Sequence, residues 1–145
     1  MVRLDTLIDA GLIRVARSVF EPLDLEVELP RHVPHGEEDW MSSVRLSGGF
    51  EGRVEVYAGN VLMDAVCGLM LGRLPDSLSD SEREDAWGEI ANLIAGFVLQ
   101  DLPEPTALAH PQVARAVRPE RPEGLLRCGH ALVEGEPISI LLLQN

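Results

Sequence analysis

Lysine is absent from this chain of 145 residues, and all 12 of its basic residues are arginine. A side-chain amine is needed for Schiff-base chemistry, for a lysine general base and for the lysine of a Walker phosphate-binding loop. The absence of lysine therefore excludes these three kinds of site.

Positive charge is scarce in general. The 24 acidic residues outnumber the 12 arginines, which gives a formal net charge of -12. Such a chain repels a phosphate backbone, so we expect no nucleic-acid partner unless a basic stripe is present. Four arginines lie near one another in sequence: Arg115, Arg118, Arg121 and Arg127. Glu120 and Glu123 interleave with them, which indicates a solvated face rather than a nucleic-acid patch.

Long hydrophobic runs are also missing. Val61–Gly72 is interrupted by Asp64, and Ile140–Leu143 has only the length of a strand. A membrane-spanning helix needs about 20 apolar residues, so we expect no membrane partner. The segment Met1–Ala16 carries two aspartates within a helical pattern, which is not typical of an export signal.

Cysteine is rare as well. Cys67 and Cys128 are far apart and have apolar neighbours, which predicts buried free thiols in a reducing cytoplasm. The composition is otherwise that of a globular protein, with 46% hydrophobic and 25% charged residues. We expect a single domain over residues 1–145, long enough to bury roughly two thirds of the surface of the unfolded chain without a disulfide or a metal.

Hydrophobic periodicity predicts three helices and about six strands. The predicted helices are Arg3–Phe20, Val61–Leu71 and Ser81–Gln100. The predicted strands are Leu23–Leu29, a strand opened by Val44 and Leu46, Phe50–Ala58, Gln112–Val117, Leu125–Val133 and Ile138–Leu143. The order is therefore α-βββ-α-α-βββ, and Glu51, Arg53 and Glu55 are predicted to lie on the face of their strand opposite its apolar residues.

The predicted helix Ser81–Gln100 has two different faces. One apolar stripe is expected to pack in the core: Ala86, Ile90, Leu93, Ile94 and Phe97. The opposite face carries Asp85, Glu89, Asn92 and Gly96. Glu89 and Asn92 are three residues apart, which places their Cβ atoms about 5–6 Å from each other.

Asn92 and Gly96 are unfavourable residues for the interior of a helix. Glycine costs about 1 kcal/mol relative to alanine there. These two residues suggest that something approaches this face closely, and an amide can hold a water molecule by donating and accepting at once. The spacing alone fits an ordinary solvated face equally well.

Residues Gly88–Gly96 resemble the signature of the CheC/CheX/FliY family of chemotaxis phosphatases, in which Glu-x-x-Asn is followed by an Ala-Gly step. Further segments are similar to the same family. Ser43–Ala58 resembles its strand pair with a glycine turn, Val61–Gly72 its small apolar helix, and Asp101–Val113 its proline-containing exit. The length and the single motif resemble the CheX members most.

The resemblance implies an α/β (α+β) fold, a single CheX-like domain with helices packed on a largely antiparallel sheet. It also implies hydrolysis of the aspartyl phosphate on a CheY-like response-regulator receiver domain. By this analogy Asn92 orients the attacking water, Glu89 pairs with the receiver's active-site lysine, and Asp85 and Gly96 face the partner. The receiver supplies the Mg²⁺, so no cofactor of the chain's own is expected.

In family members with two motifs, the second motif lies on the counterpart of the first helix. Here that helix places Asp5, Ile8 and Leu12 where Glu, Asn and Gly are expected. An isoleucine cannot orient water, so the resemblance implies one active face per chain.

The resemblance further implies a homodimer, and the last strand provides a reason for one. Its two faces are both apolar: Ile138, Ile140 and Leu142 lie on one, Leu141 and Leu143 on the other. Such a strand is normally covered on both faces, so we expect an edge strand that pairs with a second copy, either by sheet extension or by face packing. A central position within a monomer is the alternative.

Two other functions stay open. A CheX-like binding module that docks to a receiver or to a flagellar-switch component without catalysis needs Glu89 but not Asn92. A purely structural dimer needs neither residue. His32 and His35, followed by Glu37–Asp39, have metal-ligating side chains, but the flanking prolines favour a surface loop and we expect no metal.

Overall fold

A computed structural model of the chain describes residues 9–31, 38–119 and 122–145. Within these residues there are three α-helices and seven strands. The helices are α1 (Ala10–Phe20), α2 (Asn60–Leu71) and α3 (Asp80–Leu99). The strands are β1 (Val27–Glu28), β2 (Glu38–Gly48), β3 (Gly52–Ala58), β4 (Thr106–Leu108), β5 (Gln112–Val117), β6 (Leu125–Val133) and β7 (Glu136–Gln144).

All seven strands belong to one sheet, and every pairing in it is antiparallel. The order across the sheet is β1, β6, β7, β3, β2, β4, and β5 also pairs with β2. The expected fold class, helices on an antiparallel sheet in a single α+β domain, is therefore confirmed. The element order contains one more strand than expected, because Thr106–Leu108 in the proline-rich connection pairs with the end of β2.

The three helices pack on one face of the sheet. The alternation that predicted an inward face of β3 is confirmed, since Val54, Val56 and Ala58 are fully buried. Trp87 of α3 and Phe20 of α1 are among the largest fully buried side chains of this core. Complete burial of one such apolar side chain stabilises the fold by about 1.5–3 kcal/mol.

The opposite face of the sheet is covered as well. Tyr57, Cys128, Leu141 and Leu143 form a second buried cluster there. Glu55 lies on this opposite face of β3, as predicted, and is just 8% exposed. Its carboxylate accepts hydrogen bonds from the Tyr57 hydroxyl at 3.0 Å and from the Arg53 guanidinium at 3.0 Å, which satisfies the buried charge.

The expected strand Leu23–Leu29 is much shorter than predicted. Glu21–Leu23 forms a 3-10 turn, and Asp24 then adopts a left-handed conformation with φ of 60°. An aspartate tolerates this conformation, which interrupts any strand. The remaining pairing is confined to Val27 and Glu28 against the end of β6.

Helix α1 begins at Ala10, and its N-cap Asp9 has an extended backbone with φ of -85° and ψ of 100°, so the predicted helix Arg3–Phe20 does not run through Asp9. The Asp9 carboxylate accepts hydrogen bonds from the backbone N–H groups of Gly11 and Leu12. The same carboxylate pairs with Arg127 of β6, which holds the pKa of Asp9 below its usual value. The predicted start of this helix at Arg3 lies outside the described residues.

The last strand, β7, is central rather than at an edge. It pairs with β6 on one side and with β3 on the other. Ile138, Ile140 and Leu142 belong to the core under the helices, and Leu141 and Leu143 belong to the second cluster. The expectation of an edge strand was wrong, because the chain itself covers both apolar faces of β7.

Candidate functional site

Helix α3 is held in place by its N-cap and by contacts with neighbouring elements. Its N-terminus is fixed by a capping box: the Glu82 N–H donates to Ser79 Oγ at 3.1 Å, and the Ser79 N–H donates to Glu82 Oε1 at 3.0 Å. The helix contacts both α1 and α2 and also the sheet. One side of it is buried through residues Ala86, Trp87, Gly88, Ile90, Ala91, Ile94, Ala95 and Val98. The backbone of the residues on its outward face is therefore held in a fixed position.

The four candidate site residues share that outward face. Asp85 and Glu89 are exposed, and Asn92 and Gly96 are partly exposed. Glu89 and Asn92 are one helical turn apart, which places their Cβ atoms about 5–6 Å from each other. In the described part of the chain no ion pair involves the Glu89 carboxylate. The carboxylate and the amide are both accessible to a partner.

Leu93 does not lie in the core, contrary to the sequence prediction. Its side chain is 49% exposed, and it belongs to the outward face beside Glu89 and Asn92. The buried side of α3 instead includes the small residues Gly88, Ala91 and Ala95. A Cβ on Gly88 would lie only 3.2 Å from Pro111 Cγ, so α3 packs closely against the connection between β4 and β5. Because this side of α3 is the buried one, Leu93 lies on the exposed side of the helix.

Gly96 differs from Gly88 in its surroundings. A Cβ on Gly96 would have no heavy atom within 4 Å, apart from the backbone of its own turn and its chain neighbours. Its φ is not in the left-handed region. Neither the packing nor the conformation of this chain requires a glycine at position 96.

In α1, the helix that the family resemblance pairs with α3, the one candidate position that the structure describes is buried. Leu12 is 1% exposed, and a Cβ on Gly129 would lie 2.6 Å from Leu12 Cβ. This position of α1 is thus packed onto β6 and is inaccessible to a partner. Asp5 and Ile8 lie outside the described residues.

A buried polar chain was not predicted from the sequence. His130 Nδ1 is 2.7 Å from Ser139 Oγ, and His130 Nε2 is 3.3 Å from Cys128 Sγ. Burial, with a smaller contribution from the positive charge of Arg118, lowers the pKa of His130 to about 4. The sequence signal was the alternation of Cys128 and His130 along one face of β6. The group lies on the far face of the sheet from the helices, so it is not part of the α3 site.

Both cysteines are free and buried, as predicted. Burial raises the pKa of Cys67 and of Cys128 to about 11. Because the thiolate is the nucleophilic form, neither thiol is a nucleophile at neutral pH.

The described residues contain no group of three or more His, Cys, Asp or Glu side chains that could hold a metal ion. His32, His35 and Glu37 lie outside the described residues, whereas Glu38 and Asp39 belong to strand β2 and not to the expected loop. The arginines near the C-terminus do not form a shared basic patch where they can be described: Arg127 pairs with Asp9, and Arg115 stacks 4.5 Å from the ring centroid of Trp40.

Comparisons with known proteins show the family and the fold of the chain. The sequence profile of the family described as "Chemotaxis phosphatase CheX" matches residues 41–121, which is more than half of the chain. The chain belongs to the CheX family. No curated protein matches it by sequence.

Solved structures show the same fold. CheX from Vibrio vulnificus has 15% identity and a TM-score of 0.68, with 100% of both chains covered. CheX from Desulfovibrio desulfuricans has 15% identity and a TM-score of 0.67, with 93% of this chain and 97% of that chain covered. A third structure is the CheX-CheY-BeF3-Mg complex from Borrelia burgdorferi, at 15% identity and a TM-score of 0.59, covering 92% of this chain and 94% of that one. Among the described helices none is both long and apolar enough to cross a membrane.

Proposed function

We propose that this protein accelerates hydrolysis of the aspartyl phosphate on a phosphorylated CheY-like receiver domain. The observation that carries the proposal is the exposed pair of Glu89 and Asn92, one turn apart on the outward face of α3, in a chain of the CheX family. The solved complex of a related CheX with CheY supports the class of partner.

An amide is a sufficient catalytic group for this reaction. Water attacks the phosphorus atom, and the bond between phosphorus and the aspartyl oxygen breaks. The leaving group is a carboxylate with an ordinary pKa of about 3.9, so it departs as an anion and needs no general acid. Phosphoryl transfer depends mainly on positioning and charge stabilisation. The Asn92 amide accepts from and donates to the water, and thereby holds it in line.

Glu89 has a different role in this proposal. Its carboxylate pairs with the active-site lysine of the receiver, which fixes the two proteins in the orientation that brings Asn92 to the phosphoryl group. Asp85 and Gly96, on the same face, lie in the contact with the receiver. The receiver provides its own Mg²⁺ and aspartates, so the phosphatase contributes no cofactor. We further propose that the protein acts in the cytoplasm, where receivers occur, and that it is a homodimer.

The test is to follow the loss of phosphate from a panel of phosphorylated receiver domains with and without the protein. We expect the protein to accelerate the loss for at least one receiver well beyond that receiver's own rate. Binding to receivers without any acceleration would contradict the phosphatase and identify a docking module instead.

A further inference from the structure

The outward face of α3 carries one large apolar side chain among polar neighbours. Leu93 is 49% exposed, so nearly half of its surface contributes nothing to the core. It follows Asn92 directly and lies one turn from Glu89 and one turn from Gly96. Side chains three or four residues apart on a helix are neighbours, with Cβ atoms about 5–6 Å from each other.

Gly96 leaves a recess beside this leucine. No heavy atom lies near the position that a Cβ would occupy, so an alanine would fit the folded chain. An alanine there would also favour the helix, because glycine is the poorer helix former. The glycine is therefore unexplained by the fold, whereas Gly88 is explained by its close contact with Pro111.

We propose that Leu93 and Gly96 form an apolar projection and an adjoining notch that contact the receiver beside its phosphorylated aspartate and help to select which receivers are accepted. This inference rests on the proposed function. A domain that contacts both Glu89 and Asn92 also covers Leu93, since Leu93 is exposed and lies one helical turn from Glu89. Exposed backbone at Gly96 allows the partner to approach closely.

Charge supports an apolar contact at this place. The chain has a net charge of -12, and the charged residues of the α3 face, Asp85 and Glu89, are both acidic. This face therefore attracts only positively charged groups of a receiver, such as the lysine proposed to pair with Glu89. Burial of Leu93 provides affinity that is independent of charge.

The first variant is Leu93→Ala. We expect it to raise KM for the phosphorylated receiver about tenfold, which corresponds to about 1.4 kcal/mol, with the change in KM rather than in kcat. Calorimetry with a receiver carrying BeF3 and Mg²⁺ should show a matching loss of affinity. Leu126→Ala on β6 is the matched control, because Leu126 is also 49% exposed but lies in the sheet. Its KM should equal that of the unsubstituted protein.

The second variant is Gly96→Ala, which fills the notch. We expect a higher urea midpoint for unfolding, because alanine favours the helix, together with a KM raised severalfold. A protein that becomes more stable but binds its partner less well cannot owe the loss to misfolding.

Unchanged KM in both Leu93→Ala and Gly96→Ala, with an active unsubstituted protein, would overturn this inference and leave the proposed function standing. An equal loss in Leu126→Ala would overturn it too, because the effect would not belong to α3. If the unsubstituted protein accelerates phosphate loss from no receiver, the proposed function fails and this inference fails with it.

Discussion

The Asn92 amide is the group on which the proposed hydrolysis depends. Asn92→Ala should reduce kcat by at least about 100-fold, because the attacking water loses its fixed position. Affinity for the phosphorylated receiver should stay nearly constant, since the substitution removes only an amide. Phosphate release and calorimetry measure the two quantities. Gln100→Ala, on the same exposed face two turns further along, is the control and should change neither.

Substitution of Glu89 should affect affinity for the receiver, whereas substitution of Asn92 should affect kcat. Glu89→Ala is expected to weaken binding to a receiver that carries BeF3 and Mg²⁺, because the receiver lysine loses its carboxylate partner. Glu89 is exposed, so the fold should be unaffected. Equal affinity of Glu89→Ala and the unsubstituted protein in calorimetry would exclude Glu89 from the interface.

The positions of Glu89, Asn92 and Leu93 on α3 differ in how well the sequence predicts them. Helical spacing alone places Glu89 and Asn92 on one outward face, and the structure agrees. The sequence prediction places Leu93 in the core, because hydrophobicity alone indicates which side is buried. The buried side is instead set by the small residues Gly88, Ala91 and Ala95, which allow close packing and leave the leucine outside.

His130 makes stability depend on pH. Its pKa is about 4 in the folded protein, below the ordinary value of 6.5, because burial disfavours the charged ring. Well above pH 6.5 the ring is neutral in both the folded and the unfolded state, so it does not lower the free energy of unfolding there. As the pH falls from 6.5 to 4, the unfolded chain binds a proton that the folded chain does not. The free energy of unfolding should therefore fall by up to about 3 kcal/mol over this range.

Urea unfolding at several pH values, compared with the variant His130→Gln, isolates this effect. The variant should lose less stability between pH 6.5 and 4, whatever its stability at pH 7. Other groups that titrate at low pH, such as Asp9 with its lowered pKa, are present in both proteins and cancel in the comparison. Parallel pH profiles for the two proteins would show that His130 is not responsible.

At the scale of elements, the capping box fixes the start of the helix that carries the site. Ser79→Ala should lower the free energy of unfolding by about 1 kcal/mol, because the Glu82 N–H loses its acceptor. Ser81→Ala is the control within the same turn, at an exposed position that caps nothing, and should be close to neutral. Urea denaturation compares the two; an equal effect of both substitutions would mean that the cap is unimportant.

Elements with strong local signals were predicted well. The predicted α2, α3 and the final hairpin agree with the structure within a few residues, because each has a clear periodicity and a defined end, such as Gly72 after α2. Strand β2 begins at Glu38, six residues before the predicted opening at Val44. Two further elements failed for different reasons. The alternation of Leu23–Leu29 suggested a strand, but the turn at Asp24 leaves only two residues to pair. The three residues of β4 are too few to show a periodicity.

The order of the strands in the sheet could not be predicted from the sequence. β5 lies at one end of the sheet, whereas β6, the next strand along the chain, is separated from it by β2, β3 and β7. Long-range pairing of this kind is decided by the fit of complete faces, not by any local pattern. The central position of β7 follows from it, and so does the burial of both its faces.

The proposed homodimer therefore needs another surface. Within the described residues β5 pairs with β2 alone, so its outer edge is available, and Val117 at its end is 59% exposed. An unpaired edge of this kind is a template for a second copy. We expect sedimentation equilibrium at low micromolar concentration to give a mass above the 15.9 kDa of one chain and approaching twice that value. A mass that stays at one chain throughout would contradict the dimer.

Because Glu89 and Asn92 lie on the exposed face of α3, neither supports the core on which the fold depends. Their replacement over evolutionary time would leave folding intact, so selection on stability does not preserve them. Substitutions at these two positions can therefore add or remove the proposed chemistry while the architecture stays the same. On α1, by contrast, Leu12 is packed in the interior, so its replacement would affect the fold.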